Sequence, residues 1–307
     1  MIQFDGETYT PKILSDLNDL CIEHGEGLCI RFYGHYSSSF DCKTVLQIPD
    51  VKALRIDCLL RADNVESLTS LSHLRELSLG IYELKETEIL SSDNFKKLHR
   101  LIISEIKTKA FNLDYLRYYK ELQSLIICSQ SKNIEAVGEL GNLESLSLNS
   151  LKKTSISFIN NLKKLKKLIF MLGGRDNIHE IQENEIEDLE IVWVRGFNDI
   201  SNISKFHKLK TLKIEDQIQL PEIKFDAVLS ELREVKIGNC KTLSSVAGLK
   251  NLPRLDTLVI YQTNVEFDLF LKQELPGTLK TLSFYTRKSK QDGQIKKILL
   301  EKGYYCR

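Results

Sequence analysis

The chain has 307 residues, with 43 Lys and Arg against 42 Asp and Glu and a formal net charge of +1. That balance leaves no basic footprint of the kind that nucleic acid or a membrane surface selects. No stretch approaches the roughly 18 consecutive apolar residues of a membrane span.

The first segment, 1–27, reads as an N-terminal cap made of a strand and a helix. Its start, Met1-Ile2-Gln3-Phe4-Asp5-Gly6-Glu7, lacks the positive flank and apolar run of a signal peptide. Thr10-Pro11 predicts a helix start, with Thr10 as N-cap and Pro11 as first helical residue. Ile13, Leu14, Leu17, Leu20 and Cys21 supply its apolar face, and Gly25 ends it. The stretch Tyr33 to Lys43 reads as a longer loop.

From residue 28 to 284 the chain repeats. Twelve times two apolar residues flank a single variable one, spaced about 21 to 26 residues apart. The pairs are Leu28/Ile30, Leu54/Ile56, Leu77/Leu79, Leu101/Ile103, Leu125/Ile127, Leu146/Leu148, Leu168/Phe170, Leu189/Ile191, Leu212/Ile214, Val235/Ile237, Leu258/Ile260 and Leu282/Phe284. Upstream of many pairs the apolar residues fall every third position, as at Val246, Leu249, Leu252, Leu255 and Leu258. That spacing suits a short 3₁₀ or α turn that then enters a strand. At Phe111, Leu113, Leu116 and Tyr119, where the repeat lengthens, a fuller α-helix is expected. The tail, 285–307, reads as a C-terminal cap. Its helix is expected over Gln294 to Lys302, with Ile295, Ile298 and Leu299 inward and Gly303 as stop.

The pattern resembles the leucine-rich repeat, L-x-x-L-x-L-x-x-N/C. Leu229, Leu232, Val235, Ile237 and Cys240 fit it, while Leu59, Tyr82, Ile106, Gln130, Leu151 and Gln217 stand where the family prefers Asn. The short repeats are similar to those of the protein phosphatase 1 regulatory subunit and of stand-alone bacterial proteins. The resemblance implies an α/β fold: a right-handed solenoid, or horseshoe, with about twelve parallel strands on its concave face and short helices or turns on its convex face. One unit buries too little to fold alone. Four apolar side chains contribute on the order of 6–12 kcal/mol, whereas ordering about 23 residues costs roughly 1–2 kcal/mol each. Twelve strands about 4.8 Å apart make an arc of roughly 50 Å, wide enough to hold a small protein domain of about 30–35 Å.

Within each pair the middle residue points onto the concave sheet. In chain order this column runs Cys29, Arg55, Ser78, Ile102, Ile126, Ser147, Ile169, Glu190, Lys213, Lys236, Val259 and Ser283. Asp57, Met171, Val192, Glu215, Tyr261 and Tyr285 follow at the next outward positions, and Trp193 and Asp216 one step further. Apolar and aromatic anchors rimmed by charge are what a protein interface needs. The expected partner-binding residues are therefore Ile102, Ile126, Ile169, Met171, Glu190, Trp193, Lys213, Glu215, Lys236, Tyr261 and Tyr285.

Nothing in the sequence marks a catalytic, cofactor or metal site. It carries no nucleophile elbow, no phosphate-binding loop and no helical His pair with a Glu. His73, His99 and His207 occupy equivalent places beside the leucine before a strand, so repeat register accounts for them. Lysines 163, 164, 166 and 167 alternate with Leu162, Leu165 and Leu168 and read as a solvated face. Seven cysteines without a C-x-x-C pair read as free thiols of a reducing cytoplasm. The expectation is a non-catalytic cytoplasmic protein, monomeric without its partner and with no cofactor. It would bind a toxin or an enzyme domain on the concave face, as an immunity or inhibitor protein. The alternative is a regulatory scaffold similar to the phosphatase-binding repeat subunit.

Overall fold

A computed structural model describes residues 1–104 and 106–306. It divides into two compact units, Met1–Leu151 and Lys152–Arg307. Among the described residues no helix is long and apolar enough to cross a membrane.

The first unit contains β1 (Ile2–Asp5), β2 (Cys29–Tyr33), β3 (Phe40–Asp41), β4 (Ala53–Leu59), β5 (Ala62–Asp63), β6 (Glu76–Ile81), β7 (Arg100–Ile103), β8 (Ser124–Cys128) and β9 (Ser145–Asn149). Its sheet has the order β1-β2-β4-β6-β7-β8-β9, every pair parallel. β3 and β5 form a separate short parallel pair. The register sets Ile30, Leu54, Leu77, Leu101, Leu125 and Leu146 in one row, all buried. A second row holds Phe32, Ile56, Leu79, Ile103, Ile127 and Leu148. Parallel strands need a crossover between them, and here 3₁₀ turns such as Cys42–Gln47, Val65–Ser70 and Ile134–Glu139 supply it.

Three sequence expectations change in this unit. The first apolar pair is Ile30/Phe32 around Arg31, not Leu28/Ile30 around Cys29, because pairing with β4 aligns Ile30 with Leu54 and Phe32 with Ile56. Phe32 is fixed there by rings on both sides, with centroids 5.4 Å from Phe4 and 5.1 Å from Phe40. The α-helix expected near Phe111–Tyr119 is a 3₁₀ turn, Asp114–Tyr118. Its apolar residues recur at Leu113, Leu116 and Tyr119, which is the 3₁₀ period and lacks the i, i+4 partner an α-helix would bury. In α1 (Pro11–His24), capped by Thr10, Leu14, Leu17 and Cys21 are buried, but Ile13 and Leu20 are exposed. Those two precede the i, i+3, i+7 stripe by one residue, or about 100° of helix rotation.

The second unit contains β10 (Lys167–Met171), β11 (Asp188–Val192), β12 (Thr211–Glu215), β13 (Glu222–Lys224), β14 (Glu234–Gly238), β15 (Ser245–Ala247), β16 (Thr257–Tyr261) and β17 (Thr281–Tyr285). The sheet order is β10-β11-β12-β14-β16-β17, again parallel, with β13 and β15 paired apart. Leu168, Leu189, Leu212, Val235, Leu258 and Leu282 form its inner row, each buried completely. α2 (Phe267–Phe270) and α3 (Ser289–Glu301) follow β16 and β17. α3 buries Ile295 and Leu299, whereas Ile298, expected inward, is 36% exposed because it lies off the i, i+4 stripe. After α3 the chain returns along β17, where Leu282 N–H donates to the Tyr305 carbonyl at 2.9 Å. This contact covers backbone that would otherwise stand open at the sheet edge.

The positions where the repeat pattern lacks Asn are filled in three ways. Gln130 and Gln217 are completely buried. Gln130 Nε2 donates to the Ile106 carbonyl at 3.0 Å and Gln217 Nε2 to the Glu215 and Ile191 carbonyls at 2.6 and 3.2 Å. Leu59, Ile106 and Leu151 instead pack as apolar residues, and Tyr82 turns outward.

Candidate protein-binding surface

Strand alternation turns every second side chain away from the buried rows and onto the outward sheet face. The first unit presents Arg31, Arg55, Ser78, Ile102, Ile126 and Ser147 in its central column. The second unit presents Ile169, Glu190, Lys213, Lys236, Val259 and Ser283. Ile102 and Ile126 are therefore neighbours on adjacent strands of the first unit, both half-buried. The remaining nine expected contact residues all belong to the second unit's outward face or rim.

A recurrent backbone feature builds that rim. Leu172, Trp193, Asp216, Asn239 and Gln262 each follow the last residue of a strand, and each has a left-handed φ between 49° and 60°. The N–H of each still reaches the next strand, as in Leu172 to the Val192 carbonyl and Trp193 to the Glu215 carbonyl, both 2.9 Å. The residue thus completes the ladder and turns the chain in a single step. Asn and Asp tolerate this conformation, whereas bulky residues are outliers in it, at a cost of roughly 1–2 kcal/mol each. Leu172 and Trp193 occupy it nonetheless, and they are 40% and 63% exposed. Met171 and Val192 stand side by side one position earlier, and Ile169 two before Met171. Together these five make a continuous apolar patch. The sequence named three of them as contacts and omitted Leu172 and Val192. For Leu172 only the repeated post-strand position could have given it away.

The charged residues beside the patch are matched to one another. Lys167 Nζ lies 2.8 Å from Asp188 and 2.7 Å from Glu190. Lys213 pairs with Glu215 at 2.8 Å and Lys236 with Glu234 at 2.6 Å. The hydrogen bond from Lys213, with a second from Tyr261, holds the Glu215 carboxyl below its ordinary range. Exposed pairs of this kind add little stability, about 0–1 kcal/mol, but they compensate Lys167, Lys213 and Lys236, the lysines of this face among the described residues.

Tyr261 does not stand up from the sheet. It lies across Gly238 on the neighbouring strand, and its hydroxyl donates to Glu215 one strand beyond. Only a glycine leaves room, since a Cβ at 238 would come within 2.1 Å of the ring. Burial and the Glu215 hydrogen bond push the phenol up to about 12. Tyr285, next in register, is half-buried.

Elsewhere His179 Nε2 lies 3.1 Å from Ser201 Oγ and 3.2 Å from Asp199 Oδ2. A catalytic relay needs the acid on the other ring nitrogen, so these three form an ordinary surface cluster. Among the described residues no group of His, Cys, Asp and Glu could hold a metal ion. All seven cysteines are free.

No protein-family model matches the sequence, and no curated protein matches it. Solved structures do. An internalin of Listeria monocytogenes is 17% identical, with 88% of this chain and 76% of that one covered and a TM-score of 0.51. TLR13, solved in complex with ssRNA13, is 15% identical, with 92% of this chain and 46% of that one covered and a TM-score of 0.57. At these identities the likeness is one of fold.

Proposed function

We propose that this chain, a leucine-rich-repeat solenoid, is a non-catalytic module that captures a partner protein on the outward sheet face of its second unit. The observation that carries the reading is the apolar patch in which Leu172 and Trp193 are exposed beside the half-buried Ile169, Met171 and Val192. Two of its members sit in a backbone conformation that costs energy for bulky residues. An exposed tryptophan amid apolar neighbours and beside charged pairs has the composition of an interface hot spot. The mode of action is steric. The partner is a toxin or an enzyme domain whose working surface is covered, which makes the protein an inhibitor or immunity protein. Seven free thiols support a reducing compartment such as the cytoplasm. TLR13 is solved with an RNA, but here each lysine on the second unit's outward face is paired with a carboxylate. Among the described residues these paired lysines do not form the row of uncompensated cations that a phosphate backbone requires.

The test is affinity capture from the native cell, followed by calorimetry with the purified partner. Trp193→Ala is expected to weaken binding by about 2 kcal/mol or more, roughly 30-fold, with an unchanged circular-dichroism spectrum. Stoichiometric complex formation should abolish the captured protein's own activity. Unchanged affinity would reject the surface, and an active partner in the complex would reject inhibition.

A further inference from the structure

The first unit carries an arrangement on its own sheet face that the patch on the second unit does not involve. β6 runs between β4 and β7 and is outwardly low: Ser78 and Gly80 are both buried. Arg55 on β4 and Arg100 on β7 flank it and line one shared depression with Cys29, Glu76, Ser78 and Ile102. Their strands are two spacings apart, about 9–10 Å, a span that two long guanidinium side chains can close onto one small group.

The other cation of this face is already used. Arg31 Nε holds Asp57 at 2.6 Å, its guanidinium lies 4.7 Å over the Tyr33 ring, and Ser78 Oγ also donates to Asp57 at 3.2 Å. Arg55 and Arg100 differ. Among the described residues neither forms an ion pair, and Glu76 between them forms none either. Arg100 Nε is out of contact with water and has no hydrogen-bond partner. A buried donor without an acceptor is costly, more so when charged, so this atom marks where an acceptor is missing. Immediately beyond, Ile102 and Ile126 offer an apolar shelf.

We propose that Arg55 and Arg100 form a carboxylate-binding site for an acidic side chain of a partner protein, with aliphatic neighbours of that side chain resting on Ile102 and Ile126. The planar guanidinium fork suits a carboxylate in bidentate geometry. Charge complementarity selects this occupant. With Glu76 between them the two arginines leave the depression one positive charge, which matches a single carboxylate, whereas a nucleic-acid strand needs a longer row of cations. The shelf has no counterpart in a phosphate ligand.

The full chain tests this with a displayed random-peptide library, counter-selected on the R55Q/R100Q variant. Enriched peptides should carry Asp or Glu next to aliphatic residues. A synthetic winner should lose affinity at least about tenfold on R55Q/R100Q, lose part of it on R100K, and bind W193A unchanged. If the double variant does not fold, R55Q alone serves the same comparison. The proposal is overturned if no peptide distinguishes the two proteins or if the winners lack acidic residues. It is also overturned if single-stranded RNA or inorganic phosphate binds with the same arginine dependence and displaces the peptide.

Discussion

Replacing Gly238 by alanine should release Tyr261 from the sheet face. The new Cβ would stand 2.1, 2.2 and 2.5 Å from Cε1, Cζ and Oη of Tyr261, distances at which something must move. The colliding atoms are the far end of a side chain, so the ring swings away and the backbone stays. What is lost is the hydroxyl's hydrogen bond to Glu215 and the ring's contact with the strand. A hydrogen bond to a carboxylate is worth about 1.5–3 kcal/mol when buried and less at a half-exposed site. The expected destabilisation is about 1–2 kcal/mol, read as a lower urea midpoint at unchanged m. A second readout is specific to the geometry. The Tyr261 phenol, held at about 12 by burial and Glu215, should fall toward the ordinary value of about 10. A phenol raised in the folded state stabilises fully below about pH 10, and that stability is lost as pH rises through about 12. Ultraviolet titration of G238A against Y261F isolates the group. If the high-pH phenol of G238A matches the parent protein and the urea midpoint does not move, the ring does not rest on Gly238, and the pre-organised Lys213–Glu215–Tyr261 cluster is refuted.

Gly248→Ala should be worse, because Gly248 has φ +78° and its Cβ would meet the Phe225 carbonyl oxygen at 2.3 Å, a backbone atom that cannot swing aside. A loss of about 2–4 kcal/mol is expected in thermal unfolding, and a melting temperature unchanged within error would contradict the packing. Gln217→Ala should cost about 1–3 kcal/mol, since it removes the donor to the Glu215 and Ile191 carbonyls; urea titration decides, and a neutral result would mean that water replaces the amide. In thiol labelling followed by mass spectrometry, exposed Cys58 should react first. Cys21 and Cys240, whose thiols burial raises to about 11, and buried Cys42 should react only on unfolding. Labelling of all four at one rate would show that the core is not closed.

The repeat was legible in the sequence because stacking imposes it. A rung that contributes two inward side chains to a shared core must repeat them at the period of the coil, and Leu54 through Leu282 do so whatever partner the protein has. The same alternation placed Ile102, Ile126, Ile169, Glu190, Lys213 and Lys236 on the outward column. Register at the first rung was not legible, since Leu28-Cys29-Ile30 and Ile30-Arg31-Phe32 satisfy the same pattern and only pairing with β4 separates them. Nor were the bonds that cross between rungs. Tyr261 reaches Glu215, 46 residues away in the chain, over Gly238, and Arg31 claims Asp57 while Arg100 Nε is buried with no hydrogen-bond partner among the described residues. The left-handed turn after each strand was hidden too, because it is met by residues as unlike as Asp216, Asn239, Leu172 and Trp193. Inward periodicity is a local demand that each rung meets alone. Which outward groups satisfy one another, and which stay open for a partner, depends on neighbours that only the folded sheet brings together.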